Sequence, residues 1–163
     1  MKLHQNTVFI TGGGSGIGLA FAEALASLDN TVIVCGRDRQ KLDAVKQQYP
    51  QIHTMRCDIA DSAELERTVE AIQQAFPQLN VLINNAGVIR RRSLLGTTEE
   101  DWDREIDTDL KGPFLCARAT VPRMIERGYG KIVNISSVAG IVGCISTAYA
   151  ASKAGINGLT RQW

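Results

Sequence analysis

The sequence has little of what marks a metal site, a nucleic-acid surface or a membrane segment. Its two histidines, His4 and His53, have no partner at ligand spacing, so no metal site is predicted. A net charge of +1 gives no general attraction to nucleic acid or to a membrane. The first residues, MKLHQN, lack the apolar stretch of a secretion signal, and no apolar run is long enough to span a bilayer. We therefore predict a cytoplasmic protein that binds neither nucleic acid nor membrane.

The four cysteines form no recognisable pair. Cys35, Cys57, Cys116 and Cys144 stand far apart without a C-x-x-C motif, and three of them fall in or beside predicted strands or a helix. This distribution is typical of reduced, buried thiols. A chain of 163 residues without repeats or linkers is predicted to form one domain, residues 1–163.

Short apolar runs alternate with amphipathic segments along the chain. The runs predict strands at residues 7–10, 31–35, 51–57, 81–84 and 131–135. Helices are predicted to begin near residues 16, 39, 61, 97, 113 and 147. The first helix, residues 16–28, carries one apolar face, made of Ile17, Ala20, Phe21, Ala24, Leu25 and Leu28. Strands that alternate with helices predict an α/β fold with a parallel sheet covered on both faces.

The stretch from Thr7 to Gly18 joins the first strand to the first helix through a run of glycines. Glycine allows backbone conformations that a β-carbon forbids and lets a diphosphate approach closely. The helix behind it offers free N–H groups and the positive end of its dipole to an anion. The spacing Gly12-x-x-x-Gly16-x-Gly18 differs from the commoner G-x-G-x-x-G. It predicts dinucleotide binding, and a merely tight glycine turn is the alternative.

Tyr149 and Lys153 are spaced four residues apart, on one face of the last predicted helix. A neighbouring cation favours the phenolate that tyrosine needs for acid–base chemistry. Ser137 follows the fifth predicted strand, at the edge where parallel sheets place their sites. A surface tyrosine beside a solvated lysine is the alternative, and the glycine motif upstream favours the catalytic interpretation.

Four motifs together resemble those of the short-chain dehydrogenases/reductases. They are Thr11–Gly18, Asn84–Gly87, Ser136-Ser137 and Tyr149-x-x-x-Lys153, in the family's order and approximate spacing over essentially the whole chain. The resemblance implies a Rossmann-like, doubly wound parallel sheet of about five strands in the order 3-2-1-4-5. It also implies an NAD(P)-dependent oxidoreductase that moves hydride between a nicotinamide cofactor and a secondary alcohol or ketone.

The resemblance further implies roles for individual residues. Tyr149 would be the general acid/base, Lys153 would stabilise its phenolate and hold the nicotinamide ribose, and Ser137 would hydrogen-bond the substrate oxygen. Ser136 is the weaker candidate for that last role, and Asp58 would contact the adenine. The implied cofactor-binding set is Thr11, Gly12, Gly14, Ser15, Gly16, Ile17, Gly18, Arg37, Asp58, Ile59, Asn85, Ala86, Gly87, Tyr149 and Lys153.

The end of the second strand bears on the choice of cofactor. An acidic residue there usually accepts the ribose 2′-hydroxyl of NAD, but Gly36 holds that position and Arg37 follows it. A guanidinium suits a 2′-phosphate by charge and geometry, which favours NADP over NAD. Ser15 is evidence against a preference for NADP, because many NADP-preferring relatives carry a basic residue at that position. Alternatively, Arg37 is a solvated loop charge and Asp38 serves the ribose.

The chain departs from the family pattern in two places. Asp109 replaces the asparagine that usually completes the catalytic set, and it could add unwanted negative charge near the site. Relatives also continue past Lys153 with two more strands, a substrate loop and a helix. Without them we expect an unpaired edge on the fifth strand, weak cofactor binding or need of a partner, and poor turnover. A non-catalytic dinucleotide-binding fragment or interaction module is therefore the alternative function.

Arg90, Arg91 and Arg92 follow the fourth strand on the catalytic side. They form either a solvated basic loop or a clamp for a substrate carboxylate. Arginines shortly after Asn84–Gly87 resemble the sugar-acid branch of the family, the gluconate and deoxygluconate dehydrogenases, so the substrate would be a small alcohol or ketone of that kind.

The resemblance also implies a homodimer or homotetramer. Relatives pair through the helix at residues 113–127 and the helix that bears Tyr149. Ala117, Val121 and Met124 fit such an interface stripe, although a stripe that faces the core has the same pattern.

Overall fold

A computed structural model of the protein describes residues 2–144 and 146–163. Strands and helices alternate through most of it. In chain order they are β1 (Thr7–Thr11), α1 (Gly16–Ala26), β2 (Thr31–Gly36), α2 (Arg39–Gln48), β3 (His53–Arg56), α3 (Ser62–Ala75), β4 (Leu79–Asn84), a 3-10 turn (Leu94–Gly96), α4 (Glu99–Ile106), a π-helical turn (Asp107–Lys111), α5 (Gly112–Glu126), β5 (Lys131–Asn134), α6 (Ala139–Val142) and α7 (Thr147–Gln162).

The five strands form one parallel sheet in the order β3-β2-β1-β4-β5. This confirms the predicted Rossmann-like fold and strand order. β1 lies in the middle, and all five of its residues are buried because both of its faces are covered. In the described part of the chain β5 pairs with β4 alone.

Apolar side chains alternate between the two faces of the sheet and form a core on each. Phe9, Ile33 and Leu82 pack with α3 and α5 on one face. Val8 and Ile10 pack with α1 and α2 on the other. Each fully buried side chain of this size stabilises the fold by about 1.5–3 kcal/mol. Because the strands are parallel, their carboxyl ends lie along the same edge of the sheet. The polar residues described below lie at this edge.

Helix α1 corrects the predicted apolar face. Phe21 and Leu25 pack against the core, but Ile17 is 64% exposed and Leu28 is 45% exposed. Ala20 and Ala24 are exposed as well. The helix ends at Ala26, before Leu28. Ile17, in the first turn, lines the cleft described below rather than the core.

The polypeptide around Pro113 stays helical where two separate helices were predicted. The π-helical turn links α4 to α5 without a break, and Pro113 lies in the first turn of α5. A proline is tolerated there because the first-turn N–H groups of a helix have no partner within it.

The proposed interface stripe on α5 packs mostly within the chain. Ala117 and Met124 belong to the core, and Val121 packs against it. Their apolar periodicity therefore reflects packing within the chain, and it leaves the predicted dimer untested. No helix in the described ranges is both long and apolar enough to cross a membrane. Three of the free cysteines are buried, and Cys144 is exposed.

Candidate active site

The glycine turn after β1 forms one wall of a cleft. Gly12 has φ +69°, and a β-carbon there would lie 2.8 Å from the Cα atom of Ala86. A β-carbon at Gly18 would lie 2.4 Å from the Gly12 carbonyl oxygen. Only glycine satisfies both constraints, so the turn can pass directly beneath the start of α1.

The N-terminus of α1 opens into this cleft. Ser15 precedes the helix, but its hydroxyl caps none of the helix amides, and the first turn carries no acidic residue. Free amides and the positive end of the helix dipole thus face the space above the glycines. This arrangement is suited to an anion such as a diphosphate.

The cleft has a volume of about 410 Å³ and runs along the carboxyl ends of β1, β2 and β4. Most of the predicted cofactor-binding residues line it: Gly12, Gly14, Ser15, Ile17, Gly18, Arg37, Asp58, Ile59, Asn85, Ala86 and Gly87. Gly16, Tyr149 and Lys153 do not line it. Residues that the sequence did not single out also line it, among them Lys41, Leu42, Val88 and Thr108.

Thr11, predicted to bind the cofactor, braces the cleft instead of lining it. Its side chain is fully buried, and its hydroxyl oxygen accepts hydrogen bonds from the backbone N–H groups of Asn85 and Ala86, both at 3.1 Å. The Asn85 amide donates back to the Thr11 carbonyl at 3.0 Å. These bonds join the ends of β1 and β4, and so hold the two walls of the cleft together.

Two cations lie at the far end of the cleft, where β2 and β3 end. The Arg37 guanidinium is 3.7 Å from a carboxylate oxygen of Asp58, and the Lys41 ammonium is 3.9 Å from Asp38. Asp38 also caps α2 by accepting the Lys41 N–H at 3.2 Å. The alternative in which Asp38 serves a ribose thus competes with its capping role. Lys41 could have been found in the sequence as the first-turn residue three positions after the cap.

Tyr149 and Lys153 lie one turn apart on α7, as their spacing predicted. The Lys153 ammonium is 5.4 Å from the centre of the Tyr149 ring. It is buried, donates a hydrogen bond to the Ile135 carbonyl at 3.0 Å, and lies 3.5 Å from Asp109 Oδ2. The structure therefore brings Tyr149, Lys153 and Asp109 into one group.

Asp109 is fully buried, at the π-helical turn. Its Oδ1 atom accepts the Val88 N–H at 2.7 Å, while Oδ2 has no hydrogen-bond donor among the described residues. Burial raises the pKa of this carboxyl to about 6, and the nearby Lys153 charge limits the rise. The aspartate that replaces the family asparagine is thus the direct ion-pair partner of Lys153.

The two serines after β5 have different surroundings. Ser136 Oγ donates to the Lys153 carbonyl at 3.3 Å, which ties the strand end to α7. Ser137 Oγ accepts the N–H of Ala139, the first residue of α6, at 3.1 Å. A β-carbon at Gly140 would lie 2.5 Å from the backbone of Lys153, so α6 packs tightly on α7. Ser137, partly exposed, remains the better candidate to meet a substrate.

The three arginines after β4 are not equivalent. Arg90 and Arg92 share one partner, since their Nε atoms lie 3.7 Å and 3.6 Å from the Asp101 carboxylate. Arg91 has φ +52° and makes no ion pair within the described part of the chain. Asp101 thus neutralises part of the charge that the proposed clamp would use. Among the same described residues, no three His, Cys, Asp or Glu side chains lie together as metal ligands would.

Comparisons with known proteins place the chain in a family. The family model described as short chain dehydrogenase matches residues 6–163. The chain is 41% identical over 140 residues to the uncharacterized oxidoreductase DltE of Bacillus subtilis, covering 84% of the chain and 55% of DltE. It is 38% identical over 168 residues to the 3-oxoacyl-[acyl-carrier-protein] reductase FabG of Thermotoga maritima, covering 100% of the chain and 68% of FabG.

Solved structures also show similarity to proteins of this kind. A metagenomic short-chain oxidoreductase in complex with NADP aligns with a TM-score of 0.92 and 36% identity, over 98% of this chain and 74% of that one. The crystal structure of gox2181 aligns with a TM-score of 0.94 and 25% identity, over 99% of this chain and 66% of that one. The chain belongs to the short-chain dehydrogenase family, as its motifs predicted.

Proposed function

We propose that the protein is an NAD(P)-dependent oxidoreductase that interconverts a ketone and a secondary alcohol. The observation that carries the proposal is the group of Tyr149, Lys153 and Asp109, which is continuous with the glycine cleft through Val88. The cleft suits a dinucleotide because the uncapped N-terminus of α1 opens into it, and because Gly12 and Gly18, where a β-carbon would collide with neighbouring protein atoms, let the turn pass close beneath that helix. The nicotinamide, when bound, supplies or accepts the hydride.

Tyr149 moves the proton that accompanies the hydride. In the reducing direction its hydroxyl donates a proton to the substrate oxygen, and in the oxidising direction the phenolate takes it back. The Lys153 ammonium, 5.4 Å from the centre of the ring, stabilises the phenolate electrostatically. Ser137 Oγ donates a hydrogen bond to the same substrate oxygen and so orients the carbonyl.

Asp109 modifies this arrangement. An ionised carboxylate at 3.5 Å offsets the charge of Lys153, so the phenolate is stabilised less than by a lysine alone. Protonation of Asp109 below about pH 6 removes that offset.

The test of the reaction is Tyr149→Phe, with Tyr129→Phe as the control at an exposed tyrosine. We expect the first variant to lose NADPH oxidation with ketones while its NADPH Kd changes by less than about threefold, since the phenol acts in proton transfer. The control keeps both. If the unmodified chain binds NADPH but oxidises it with no carbonyl compound, the non-catalytic module is the better description.

We propose that NADP is the preferred cofactor. Arg37 and Lys41 both line the end of the cleft, and a guanidinium recognises a phosphate through paired hydrogen bonds. The related metagenomic enzyme was solved with NADP. We expect Arg37→Ala to weaken NADPH binding by about 10- to 100-fold, the range for a hydrogen bond to a charged group, and to leave NADH binding nearly unchanged. An unmodified protein that binds NADH as tightly as NADPH contradicts the proposal.

The substrate class is proposed from the loop after β4 and from one relative. Arg90, Arg91 and Arg92 suit a carboxylate such as that of a sugar acid, and the relative named as a 3-oxoacyl reductase suggests an acyl ketone instead. Assays with an aldonate or ketoaldonate and with a 3-oxoacyl thioester compare the two. If each arginine-to-alanine variant leaves the apparent affinity for aldonates unchanged, the sugar-acid assignment is wrong.

A further inference from the structure

A second buried carboxylate lies one helical turn before Asp109. Glu105 lies in the last turn of α4 and points inward, and only 1% of it is exposed. Its Oε1 atom accepts the Arg90 backbone N–H, and its Oε2 atom accepts the Ser146 hydroxyl at 2.9 Å. Burying a carboxylate costs free energy unless hydrogen bonds satisfy its oxygen atoms. Both oxygen atoms of Glu105 accept such a bond.

Glu105 and Asp109 make the same pair of connections. Each carboxylate accepts one backbone N–H from the loop after β4, from Arg90 and Val88 respectively. Each also reaches α7 or its start with the other oxygen, Glu105 to Ser146 and Asp109 to Lys153. The two acids therefore join the loop and the catalytic helix at two points. The proposed chemistry uses Asp109, but it assigns nothing to Glu105.

Ser146 makes this contact instead of capping the helix that follows it. It is the residue before α7, where a serine normally caps the helix through its side chain. Its hydroxyl caps no amide of α7 and donates to Glu105 instead. The neighbouring Thr147 N–H donates to the Arg92 carbonyl at 3.3 Å, which is a second tie between α7 and the same loop. The start of α7 is thus held by the loop and α4 rather than by its own cap.

We propose that Glu105 is a positioning residue that fixes the start of α7, and with it Tyr149, against the loop that carries Arg90 and Arg92. Tyr149 follows Ser146 by less than one helical turn, so a displacement at Ser146 passes directly to the phenol. The contact aligns the proton donor with the loop on the substrate side. The catalytic consequence rests on the proposed function, whereas the positional consequence does not.

The positional consequence is tested by amide hydrogen exchange of the whole chain with Glu105→Ala. We expect faster exchange in two segments together, residues 86–92 and 146–153. Glu100→Gln, an exposed site on the same helix, is the matched control and leaves both unchanged. Ser146→Ala removes only the contact between Glu105 and α7, and we expect it to raise exchange in residues 146–153. This variant therefore tests the positional consequence even if Glu105→Ala does not fold. Unchanged exchange in residues 146–153 in both variants overturns the proposal.

The catalytic consequence is tested by steady-state kinetics on the same variants. We expect kcat to fall by about 10- to 100-fold in Glu105→Ala, the size of effect that a misplacement of about 1 Å produces, with the NADPH Kd changed less than about threefold. Glu105→Gln, which can still bond both partners, should recover most of kcat. The double variant with Ser146→Ala should lose no more than Glu105→Ala alone.

The two readouts separate two kinds of failure. If the unmodified chain turns over no carbonyl compound, the proposed function fails, and the exchange measurement still decides whether Glu105 holds α7. If the unmodified chain is active and kcat of Glu105→Ala stays the same, Glu105 does not position Tyr149.

Discussion

The buried ion pair of Asp109 and Lys153 leads to a quantitative prediction about pH. Burial raises the pKa of the Asp109 carboxyl from its ordinary value of 3.8 to about 6. At about 1.36 kcal/mol for each pH unit, this difference corresponds to about 3 kcal/mol. The folded state holds the proton more tightly than the unfolded chain, so this stabilisation is fully present below pH 3.8. It is lost as the pH rises through about 6.

Asp109→Asn removes the titrating group and keeps an oxygen that can accept the Val88 N–H. The unfolding free energy of the unmodified protein, minus that of the variant, should therefore fall with rising pH. We expect a fall of about 2–3 kcal/mol between pH 4 and pH 7, with nearly half of it complete by pH 5. Urea unfolding followed by circular dichroism at a series of pH values measures this difference.

Asp103→Asn is the control, because Asp103 is an exposed aspartate on α4. Its difference curve should stay flat over the same range. If the Asp109→Asn difference is flat, the Lys153 charge cancels the effect of burial; if it rises with pH, the charge outweighs that effect. The carboxyl would then be stabilised in its ionised form, and its stabilising contribution would be lost on acidification instead. That result would refute the reasoning.

Further predictions concern the walls of the cleft and α7. Thr11→Val should lower the unfolding free energy by about 1–3 kcal/mol, because two part-buried amides lose their acceptor, and Thr11→Ser should recover most of this loss in urea unfolding. Gly18→Ala should destabilise by about 1–3 kcal/mol and abolish NADPH binding measured by fluorescence titration, since the added carbon meets backbone at 2.4 Å. Gly158→Ala should raise the unfolding free energy by about 0.5–1 kcal/mol, because it meets nothing within 4 Å on α7.

Local patterns in the sequence predicted the fold and one wall of the site. A strand buried on both faces must be apolar throughout, so runs such as that of β1 are visible without a structure. The glycine turn is equally visible, because Gly12 and Gly18 meet steric limits that no other residue meets. The spacing of Tyr149 and Lys153 placed them on one helix face by geometry alone.

The same patterns did not predict what the apolar face of a helix contacts. In α1 the periodicity marked an apolar face, but Ile17 faces the cleft and Leu28 lies beyond the helix. On α5 a stripe typical of an interface contacts the core instead. Periodicity reports which residues share a face, and only the packing of the elements determines what that face meets.

The sequence by itself determined the parallel sheet, the glycine turn and the spacing of Tyr149 and Lys153, because each depends on neighbours within a few positions. Tertiary structure alone decided the partners of the charges. It paired Lys153 with Asp109, turned Glu105 toward Ser146, and left Arg90 and Arg92 sharing Asp101. Electrostatic contacts depend on distance in space, and the folding of α4 and α7 around the end of β4 sets those distances.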